Sequence, residues 1–465
     1  MSAVRDLISA AGMTAAVLAD PSRRSWAIDE FNARVGGVRA IIAGRSAAEI
    51  TPIPTPIAPS CVDHAAFLER AACGRCVWML FGAGRATRMK LPSAFDQLGI
   101  AGLTRRILRA LARDVEGGQF QAPDPRMTEW IKRAADGTLE NADDLSIVQR
   151  VLCQLRHQFE ALAARASERT PPIDAILGNV VFVVVVNSSN RQTIACQLHR
   201  IRFGGLEAAN VYLLEQPEVG GEEVLPDGSL RWYEGQRWPE GHGQPMIAAA
   251  QRPGGAYRLD RSGAMSPLGE PLVHALRAHG ATHAVFAQVN DLHLMRDVVA
   301  VERWDTALEV MAARGSQMVM EMVANAVWET LSDGRRVRQK GGATFVDRTG
   351  FVTMRDTVAL KTPDLEPYAR PEDLSRMFYI LELDGLGRLT EDALPAYLNE
   401  RKTADGRVVL TREFYSGDAS SSLRGLTMKQ AGFALNTFKT RARIPAALEA
   451  MERQDHQPGF LALLR

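Results

Sequence analysis

An uninterrupted apolar run, VVFVVVV at Val180–Val186, is the feature that most restricts the fold of this chain. It is far shorter than the ~20 residues that a membrane-spanning helix needs, and its valines favour a buried strand. Further short runs rich in β-branched residues alternate with longer helical patterns between residues 77 and 360. Those runs are VWMLF, NVYLLEQ, THAVFAQV and MVMEMV. The alternation predicts an α/β fold with a central mixed, mostly parallel sheet flanked by helices.

The composition is typical of a large folded chain. Hydrophobic residues make up 46% of the 465 residues and charged residues 23%, both near the average for soluble globular proteins. The net charge of +1 gives no support for a nucleic-acid partner bound through bulk charge. The five cysteines are few and odd in number, which argues for a reducing compartment. Since the amino terminus also lacks the apolar core of a signal peptide, we expect a cytoplasmic protein that does not enter a membrane.

The chain divides into three regions by pattern. Residues 1–60 show helical spacing followed by TPIPTPIAPS, whose four prolines in ten residues indicate a linker or extended segment. Residues 61–364 carry the alternating strands and helices. Residues 365–465 form a smaller portion with mixed helical patterns that do not indicate a function by themselves.

A glycine loop with nearby cations follows the predicted strand at Val77–Phe81, in the stretch VWMLFGAGRATRMKLPSAF. Ligands of open α/β sheets bind at the carboxyl ends of strands. Gly82 and Gly84 would let backbone N–H groups approach phosphates, while Arg88 and Lys90 would neutralise phosphate charge. The structural alternative is a tight strand exit with surface cations.

The loop resembles the signature of sugar-nucleotide pyrophosphorylases, GxGTRL followed by a lysine beside a proline, with Ala86 inserted before Thr87. Further segments keep the order of the larger eukaryotic-type branch, which contains the UDP-glucose, UDP-sugar and UDP-N-acetylhexosamine pyrophosphorylases. They are VVFVVVVNSSNRQTIACQL, VYLLEQPEV, PEGHGQPMIAAAQ, MEMVANAVWETLSDGRRVRQKGGATFV and FALNTFKTRARIPAAL. The resemblance spans roughly residues 77–448.

This resemblance implies a Rossmann-like nucleotidyltransferase fold of the GT-A-like type. Residues 61–364 would form the catalytic domain, and residues 365–465 would complete the sugar-binding side. The implied reaction transfers UMP from UTP to a sugar 1-phosphate and yields a UDP-sugar and pyrophosphate. No covalent enzyme intermediate is required, so catalysis would come from positioning and from charge neutralisation by Mg²⁺ and protein cations.

The resemblance also implies roles for individual residues. The implied nucleotide-binding residues, which wrap the triphosphate and read the uracil edge, are Gly82, Ala83, Gly84, Gln216, Gly241 and His242. The implied sugar-phosphate-binding residues are Gly342, Arg355, Asn436 and Thr437. The implied catalytic cations are Arg88, Lys90 and Lys439. A turn histidine without a function remains the alternative for His242, and a solvated lysine remains the alternative for Lys439.

Three sites depart from the family pattern, and one of them is Lys439, which stands where the family has a second asparagine. Relatives carry Asp-Asn at the end of a central strand, whereas this chain has Asn290-Asp291. Because Mg²⁺ favours a carboxylate, we expect Asp291 to be the metal ligand, provided that the strand ends before it; otherwise Asn290 would face the metal. Asp297 is a second candidate, with a solvated aspartate at a helix start as the alternative. Arg355 stands where relatives usually place a sugar-binding glutamate, which would suit an anionic or altered sugar.

Three other functions stay open on the sequence. An NAD-dependent enzyme fits poorly, because Thr87 replaces the third glycine of GxGxxG and the next segment is helical. A catalytically weak or inactive homologue that binds nucleotide or sugar phosphate would explain the reversed Asn290-Asp291 pair. The same chemistry with ATP or GTP would follow if Gln216 does not read the base, and the same chemistry with a non-standard sugar or cyclitol phosphate also stays open. The oligomeric state is left open.

Overall fold

The computed structural model describes residues 2–57, 63–83, 99–117, 125–139, 141–165, 170–331, 333–434, 437 and 441–464. The helices in these ranges are α1 (Ala3–Ala10), α2 (Ala15–Ala19), α3 (Pro21–Gly36), α4 (Val38–Ile42), α5 (Ala47–Ile50), α6 (His64–Ala72), α7 (Arg105–Glu116), α8 (Pro125–Ala135), α9 (Ile147–Arg165), α10 (Ile173–Leu177), α11 (Arg191–Arg200), α12 (Gln244–Gln251), α13 (Leu272–Ala278), α14 (Val301–Arg314), α15 (Leu383–Leu386), α16 (Ala419–Ser422) and α17 (Ile444–Asp455).

The strands in the same ranges are β1 (Thr55–Pro56), β2 (Cys76–Phe81), β3 (Val181–Val186), β4 (Val211–Glu215), β5 (Glu218–Val224), β6 (Leu230–Pro239), β7 (Ala256–Leu259), β8 (Met265–Pro267), β9 (His283–Gln288), β10 (Met318–Ala324), β11 (Trp328–Thr330), β12 (Arg336–Arg338), β13 (Ala343–Val346), β14 (Val352–Arg355), β15 (Asp373–Glu382), β16 (Tyr397–Lys402), β17 (Val408–Glu413) and β18 (Gly425–Ala434).

A large mixed sheet with the strand order β1-β18-β10-β15-β9-β2-β3-β4-β7-β8 forms the centre of the described molecule. Its middle strands β9, β2, β3 and β4 are parallel neighbours. β15 runs antiparallel to both β9 and β10, and β7 and β8 continue the sheet antiparallel to β4. The predicted α/β fold with a mixed, mostly parallel sheet is therefore confirmed, as are the strands predicted from the five short apolar runs.

The two middle strands β2 and β3 are apolar at every position because helices cover both faces of the sheet. Trp78 and Leu80 of β2 point into a core that also contains apolar residues of α6, α7, α9 and α14. Val77 and Met79 point into the opposite core, which contains residues of α12 and α13. Each of these four β2 side chains is completely buried. Burial on both faces is typical of strands in parallel sheets.

A small sheet with the order β16-β17-β5-β6 lies beside the large one, and the amino-terminal helices cover it. α3 packs against β16 through Asn32, whose side-chain amide donates to the carbonyl oxygen of Leu398 at 2.8 Å. The amide oxygen of Asn32 accepts from the backbone N–H of Leu398 at 2.9 Å. Asn32 is completely buried, so it replaces a neighbouring strand at this point of the sheet edge.

The three regions predicted from the sequence all contribute to these sheets. From the proline-rich segment of region 1–60, Thr55–Pro56 pairs in parallel with Met428 and Lys429 of β18. From region 365–465, β15 and β18 lie in the large sheet, while β16 and β17 lie in the small one. No helix among the described residues is long and apolar enough to cross a membrane.

Asn32→Ala tests the attachment of the amino-terminal helices. The change leaves the backbone N–H and C=O of Leu398 without partners in a buried interface, and each unpaired group costs about 1–3 kcal/mol. We expect the free energy of unfolding, measured by chemical denaturation, to fall by about 2–4 kcal/mol. Asn399→Ala, at the half-exposed next residue of the strand, should change that free energy by less than about 1 kcal/mol. Equal losses in the two variants would contradict the anchoring role.

Candidate active site

The carboxyl ends of β2, β3, β4, β9, β10 and β18 meet at one edge of the large sheet. β2, β3, β4 and β9 are parallel neighbours, and β10 and β18 point the same way because the antiparallel strand β15 lies between β9 and β10. Ligands of open α/β sheets bind at such an edge. Sequence-predicted site residues found at this edge are Gly82 and Ala83 after β2, Gln216 after β4, Asp291 after β9 and Thr437 after β18.

Five other predicted residues lie outside the described parts of the chain: Gly84, Arg88, Lys90, Asn436 and Lys439. Their sequence neighbours Ala83 and Thr437 are described, and both lie at the carboxyl edge. The roles implied for the five residues therefore stay predictions.

Two asparagines that follow β3 hold the first residues of the glycine loop. The side-chain amide of Asn187 donates to the carbonyl oxygen of Ala83 at 3.0 Å, and that of Asn190 donates to the carbonyl oxygen of Gly82 at 3.4 Å. The two asparagines also bond each other, since each side-chain oxygen accepts from the other's backbone N–H, at 2.8 and 2.9 Å. The backbone N–H of Gly82 donates to Val185 at 2.9 Å, which extends the pairing of β2 with β3. The start of the loop is therefore fixed by hydrogen bonds.

Gln216 and Gly241, both predicted to contact the nucleobase, are brought together. Gln216 follows β4 and is 2% exposed, and its side-chain amide donates to the carbonyl oxygen of Gly241. Its backbone N–H donates to Val186 at the end of β3 at 2.7 Å. One amide group thus joins the edge of the large sheet to the turn that contains Gly241.

That turn needs glycine because it lies directly against the end of β17. Gly241 has a φ of +77°, and a Cβ atom there would stand 2.3 Å from the carbonyl oxygen of Phe414. A Cβ atom at Gly243 would stand 2.7 Å from the carbonyl carbon of Tyr415. Backbone hydrogen bonds from Gly243 to Phe414 and from Phe414 to Glu240, at 2.9 and 2.8 Å, keep the two segments together.

The imidazole of His242 is oriented by Ser416. The backbone N–H of Ser416 donates to Nδ1 of His242 at 3.1 Å, and the Ser416 hydroxyl lies 2.9 Å from the same nitrogen. Because a backbone N–H can only donate, Nδ1 must carry a lone pair, and the neutral ring has its proton on Nε2. The ring also makes edge contacts with Tyr415 and Phe81, with centroids 5.1 and 6.5 Å apart.

Asp291 lies in a turn beyond the end of its strand. β9 ends at Gln288, and the backbone N–H of Asp291 donates back to the Gln288 carbonyl at 3.0 Å. The alternating side-chain directions of a strand therefore do not apply to Asn290 and Asp291, because the strand ends before both of them. The role of Asp291 as a metal ligand stays a prediction. Asp291 is 2% exposed and forms a backbone bridge with Thr437. The predicted metal ligand and one predicted sugar-phosphate residue are thus adjacent.

Both carboxylate oxygens of Asp291 have partners. Oδ1 accepts from the backbone N–H of His293 at 3.0 Å, and Oδ2 accepts from Nε of Arg376 at 2.7 Å. Asp297, the second metal candidate, accepts from the backbone N–H of Ala300 just before α14 and forms an ion pair with Arg303. In the described part of the chain, no three His, Cys, Asp or Glu side chains cluster as metal ligands.

Gly342 and Arg355 are neighbours on the β13–β14 hairpin, on which Ala343 pairs with Arg355. Arg355 is 7% exposed, and its guanidinium is already bound inside the molecule. It donates to the carbonyl oxygens of Gly36 and Met354, to the hydroxyl of Ser421 at 2.9 Å and to the carboxylate of Asp418 at 3.1 Å. These hydrogen bonds hold Nε and Nη1 of the guanidinium against the rest of the protein.

Four residues of the site were not predicted from the sequence: Asn187, Asn190, Ser416 and Arg376. For the asparagines a signal was present, because two asparagines three residues apart immediately after a strand can cap each other. For Ser416 and Arg376 no local signal exists. Ser416 lies 174 positions from His242 along the chain, and Arg376 lies 85 positions from Asp291.

Gly241→Ala should disrupt the contact between the turn and β17. A positive φ costs an alanine about 1–2 kcal/mol, and the collision with Phe414 adds about 1–3 kcal/mol. We expect the free energy of unfolding, from denaturant titration, to fall by about 3 kcal/mol. Gly254→Ala is the matched control, since Gly254 has a φ of +71° but open space around its Cβ position. If the control loses as much stability as Gly241→Ala, the close approach is not the cause.

Asp418 is a buried carboxyl group behind the turn that contains His242. It is completely buried, and its Oδ1 is contacted by Arg355 and by the hydroxyl of Tyr397 at 3.2 Å. Burial raises the pKa of Asp418 from 3.8 to about 7; Arg355 opposes this rise and the nearby Asp356 adds to it. Between these two pH values the folded state keeps a proton that the unfolded chain has lost, so this group's contribution to stability falls as pH rises and then levels off above pH 7.

Asp418→Asn removes this titration. We therefore expect the stability of the wild-type protein relative to the variant to decrease between pH 5 and pH 8. The measurement is the free energy of unfolding of both proteins by denaturant titration at pH 5, 6, 7 and 8. Parallel profiles for the two proteins would show that Asp418 does not titrate in this range.

Comparison with known proteins identifies the fold. No protein-family model matches the sequence, and no curated protein is significantly similar to it. A structure described as UDP-glucose phosphorylase from Trypanosoma brucei superposes with a TM-score of 0.53 at 14% identity, over 90% of this chain and 75% of that chain. A variant of UDP-glucose pyrophosphorylase from Leishmania major, in complex with UDP-glucose, gives a TM-score of 0.53 at 14% identity, over 96% and 79% of the two chains. In agreement with its motifs, this chain has the fold of the UDP-glucose pyrophosphorylases.

Proposed function

We propose that this protein transfers a uridylyl group from UTP to a sugar 1-phosphate and releases pyrophosphate. The observation that carries the proposal is the convergence of predicted residues at one edge of the sheet. There, the start of the glycine loop, the Gln216–Gly241 pair and the Asp291–Thr437 bridge follow different parallel strands. The fold is also that of a pyrophosphorylase crystallised with UDP-glucose.

The proposed reaction is an in-line displacement. A phosphate oxygen of the sugar 1-phosphate attacks the α-phosphorus of UTP, a new P–O bond forms, and the bond to the leaving pyrophosphate breaks. The protein supplies no covalent partner in such a reaction, so its contribution is to position the two phosphates and to stabilise their charge. Arg88, Lys90 and Lys439 are the cations proposed for the second task.

On the nucleotide side, the proposal depends on groups that are held in place by the protein itself. Asn187 and Asn190 fix the carbonyl groups of Ala83 and Gly82, so backbone N–H groups of the following loop start from a defined position. Gln216 would read the uracil edge together with the backbone of Gly241. His242 would contact the ribose or a phosphate, and the hydrogen bond from the backbone N–H of Ser416 to Nδ1 orients its ring. Such preorganisation lowers the free-energy cost of binding.

Mg²⁺ is the cofactor proposed for this reaction, and the residues at the edge are compatible with it. Mg²⁺ sites of nucleotide enzymes use one or two carboxylates together with substrate phosphates. Asp291 supplies one carboxylate, and each of its oxygens keeps a lone pair beyond the single hydrogen bond that it accepts. When bound, Mg²⁺ would neutralise charge on the phosphates. Asp291 is the residue that would hold it.

On the sugar side, Gly342, Asn436 and Thr437 remain the proposed contacts. Arg355 would act indirectly, since its guanidinium holds Gly36 of the amino-terminal helix and Asp418 of the segment after β17. Which sugar is bound would then depend on the parts of the chain around residues 435–440 and on the hairpin that carries Gly342.

One observation favours a second candidate function, a protein that binds nucleotide without turning it over. The carboxylate proposed for the metal already forms an ion pair with Arg376 at 2.7 Å. A positive charge at that distance opposes the binding of a divalent cation. Turnover in the presence of Mg²⁺ separates the two candidates.

Pyrophosphate release from each of the four NTPs, with Mg²⁺ and a panel of sugar 1-phosphates, tests the proposed function. The panel includes amino sugars, uronic acids and phosphorylated cyclitols. We expect release with UTP and one sugar, and a loss of at least about 100-fold in kcat for Arg88→Ala and for Asp291→Ala, because each removes charge stabilisation of the transition state.

Arg261→Ala is the matched control, because this arginine has an 85% exposed side chain and follows β7, at the opposite edge of the sheet. It should retain wild-type activity. Pyrophosphate release with ATP or GTP instead of UTP would identify that nucleotide as the donor. If no combination in the panel releases pyrophosphate while calorimetry detects nucleotide binding, the result would support the second candidate, a protein that binds nucleotide without turning it over.

A further inference from the structure

A β-bulge in β15 lies at the candidate active site. In the pairing of β10 with β15, Met320 is opposite Tyr379 and Met322 is opposite Ser375, so Glu321 alone faces three residues of β15. Within those three, Met377 has a φ of +54°, which is unusual for a residue with a side chain. Bulges and strained residues are over-represented next to active sites, where they redirect side chains.

Two residues of the bulge, Arg376 and Met377, contact the end of β9 and the turn that follows it. Arg376 donates from Nε to Oδ2 of Asp291 at 2.7 Å. The sulfur of Met377 lies next to the side-chain amide of Gln288, the last residue of β9. Because β15 runs antiparallel to β9, its amino-terminal half lies at the same edge as the carboxyl end of β9. The bulge therefore connects to the site through two successive residues.

A second carboxylate, that of Glu321, also binds Arg376. Its Nη1 donates to Oε2 of Glu321 at 2.8 Å, and the same oxygen lies 2.9 Å from Nε of Arg303. The guanidinium stacks over the ring of Phe378 at 5.2 Å from the ring centroid. The side chains of Arg376, Glu321 and Asp291 are 1%, 0% and 2% exposed. The guanidinium is thus fixed beside Asp291.

Burial of so many charges is not explained by stability alone. Asp291, Arg376, Glu321, Arg303 and Asp297 form one series of ion pairs with a net charge of −1, and the first four are buried. The side chain of Asp297, at the far end of the series, is 40% exposed. Removing ions from water costs several kcal/mol for each ion, and apolar residues of similar size often stabilise a core better. Asp291, which stands at one end of this series of ion pairs, lies at the carboxyl edge of the large sheet.

We propose that Arg376 is a positioning residue that fixes the carboxylate of Asp291 and shares its negative charge, so that the protein alone binds a divalent cation weakly. The cation would then bind together with the phosphates of the nucleotide. The negative charge of these phosphates would compensate for the part of the Asp291 charge that Arg376 neutralises. The inference rests on the proposed function for the choice of a nucleotide as carrier, but the weak binding itself is a property of these side chains.

The experiment measures Mn²⁺ binding to the full chain without nucleotide, by the decrease of the electron paramagnetic resonance signal of free Mn²⁺. Arg376→Gln removes the positive charge beside Asp291, and we expect it to bind Mn²⁺ at least about tenfold more tightly than the wild type. Arg376→Lys keeps the charge and should stay within about threefold of the wild type. Adding Asp291→Asn to Arg376→Gln should remove the gain.

Arg303→Gln is the matched control. Arg303 is equally buried and shares Glu321 with Arg376, yet its ion pairs are with Glu321 and Asp297 rather than Asp291. It should be destabilised to a similar degree while its Mn²⁺ affinity changes by less than about threefold, because its charge is farther from Asp291. Equal affinities in Arg376→Gln and the wild type, or an equal gain in Arg303→Gln, would overturn the inference.

If circular dichroism shows that Arg376→Gln does not fold, the double variant Arg376→Gln and Glu321→Gln takes its place in the experiment. This pair removes one positive and one negative charge, so the net charge of the series of ion pairs is unchanged, and the same gain in Mn²⁺ affinity is expected. Since Mn²⁺ binding is read without any substrate, it can succeed or fail independently of the pyrophosphate assay.

Discussion

The parallel pairing of β2 between β3 and β9 is the constraint on which the rest of the structure depends. It aligns Phe81 with Val185 on one side and with Gln288 on the other, so that three chain segments leave the sheet at the same level. The residues that leave there include the glycine loop, the two asparagines that hold it and the turn with Asp291. Because both faces of β2 are buried, a shift of one residue would exchange its two sets of core side chains. The register of the core therefore also sets the geometry of the site.

The second level of organisation is the contact between the two sheets. The turn of Gly241, His242 and Gly243 leaves the small sheet after β6 and lies against the end of β17 at distances that exclude a side chain. Gln216 joins that turn to the large sheet, and Ser416 orients the imidazole within it. The amino-terminal helix α3 reaches the same region from behind, through Arg355 and Asp418. Groups proposed to contact nucleotide and sugar are thus supported by all three regions of the chain.

The third feature is the pairing of buried charges at the candidate active site. An exposed carboxylate at the edge of a sheet would attract any divalent cation, whereas Asp291 is buried and paired with a fixed guanidinium. The arrangement makes the electrostatic environment of Asp291 a property of β10, β15 and α14 together, rather than of the turn in which Asp291 lies.

The sequence by itself determined the fold class, the principal strands and the candidate residues that follow them, because burial on both faces requires apolar runs and the loops at strand ends carry the polar groups. The resemblance to the sugar-nucleotide pyrophosphorylases also identified Gln216, Gly241 and Asp291 as candidates, and the structure places all three at the same edge or against it. Only the tertiary structure decided that Gln216 meets Gly241, that Asp291 is paired with Arg376 and that Arg355 is bound to Gly36 and Asp418. The physical reason is that these contacts join residues 25 to 319 positions apart, and their partners are chosen by strand order, a bulge and the packing of a distant helix, none of which leaves a local pattern in the sequence.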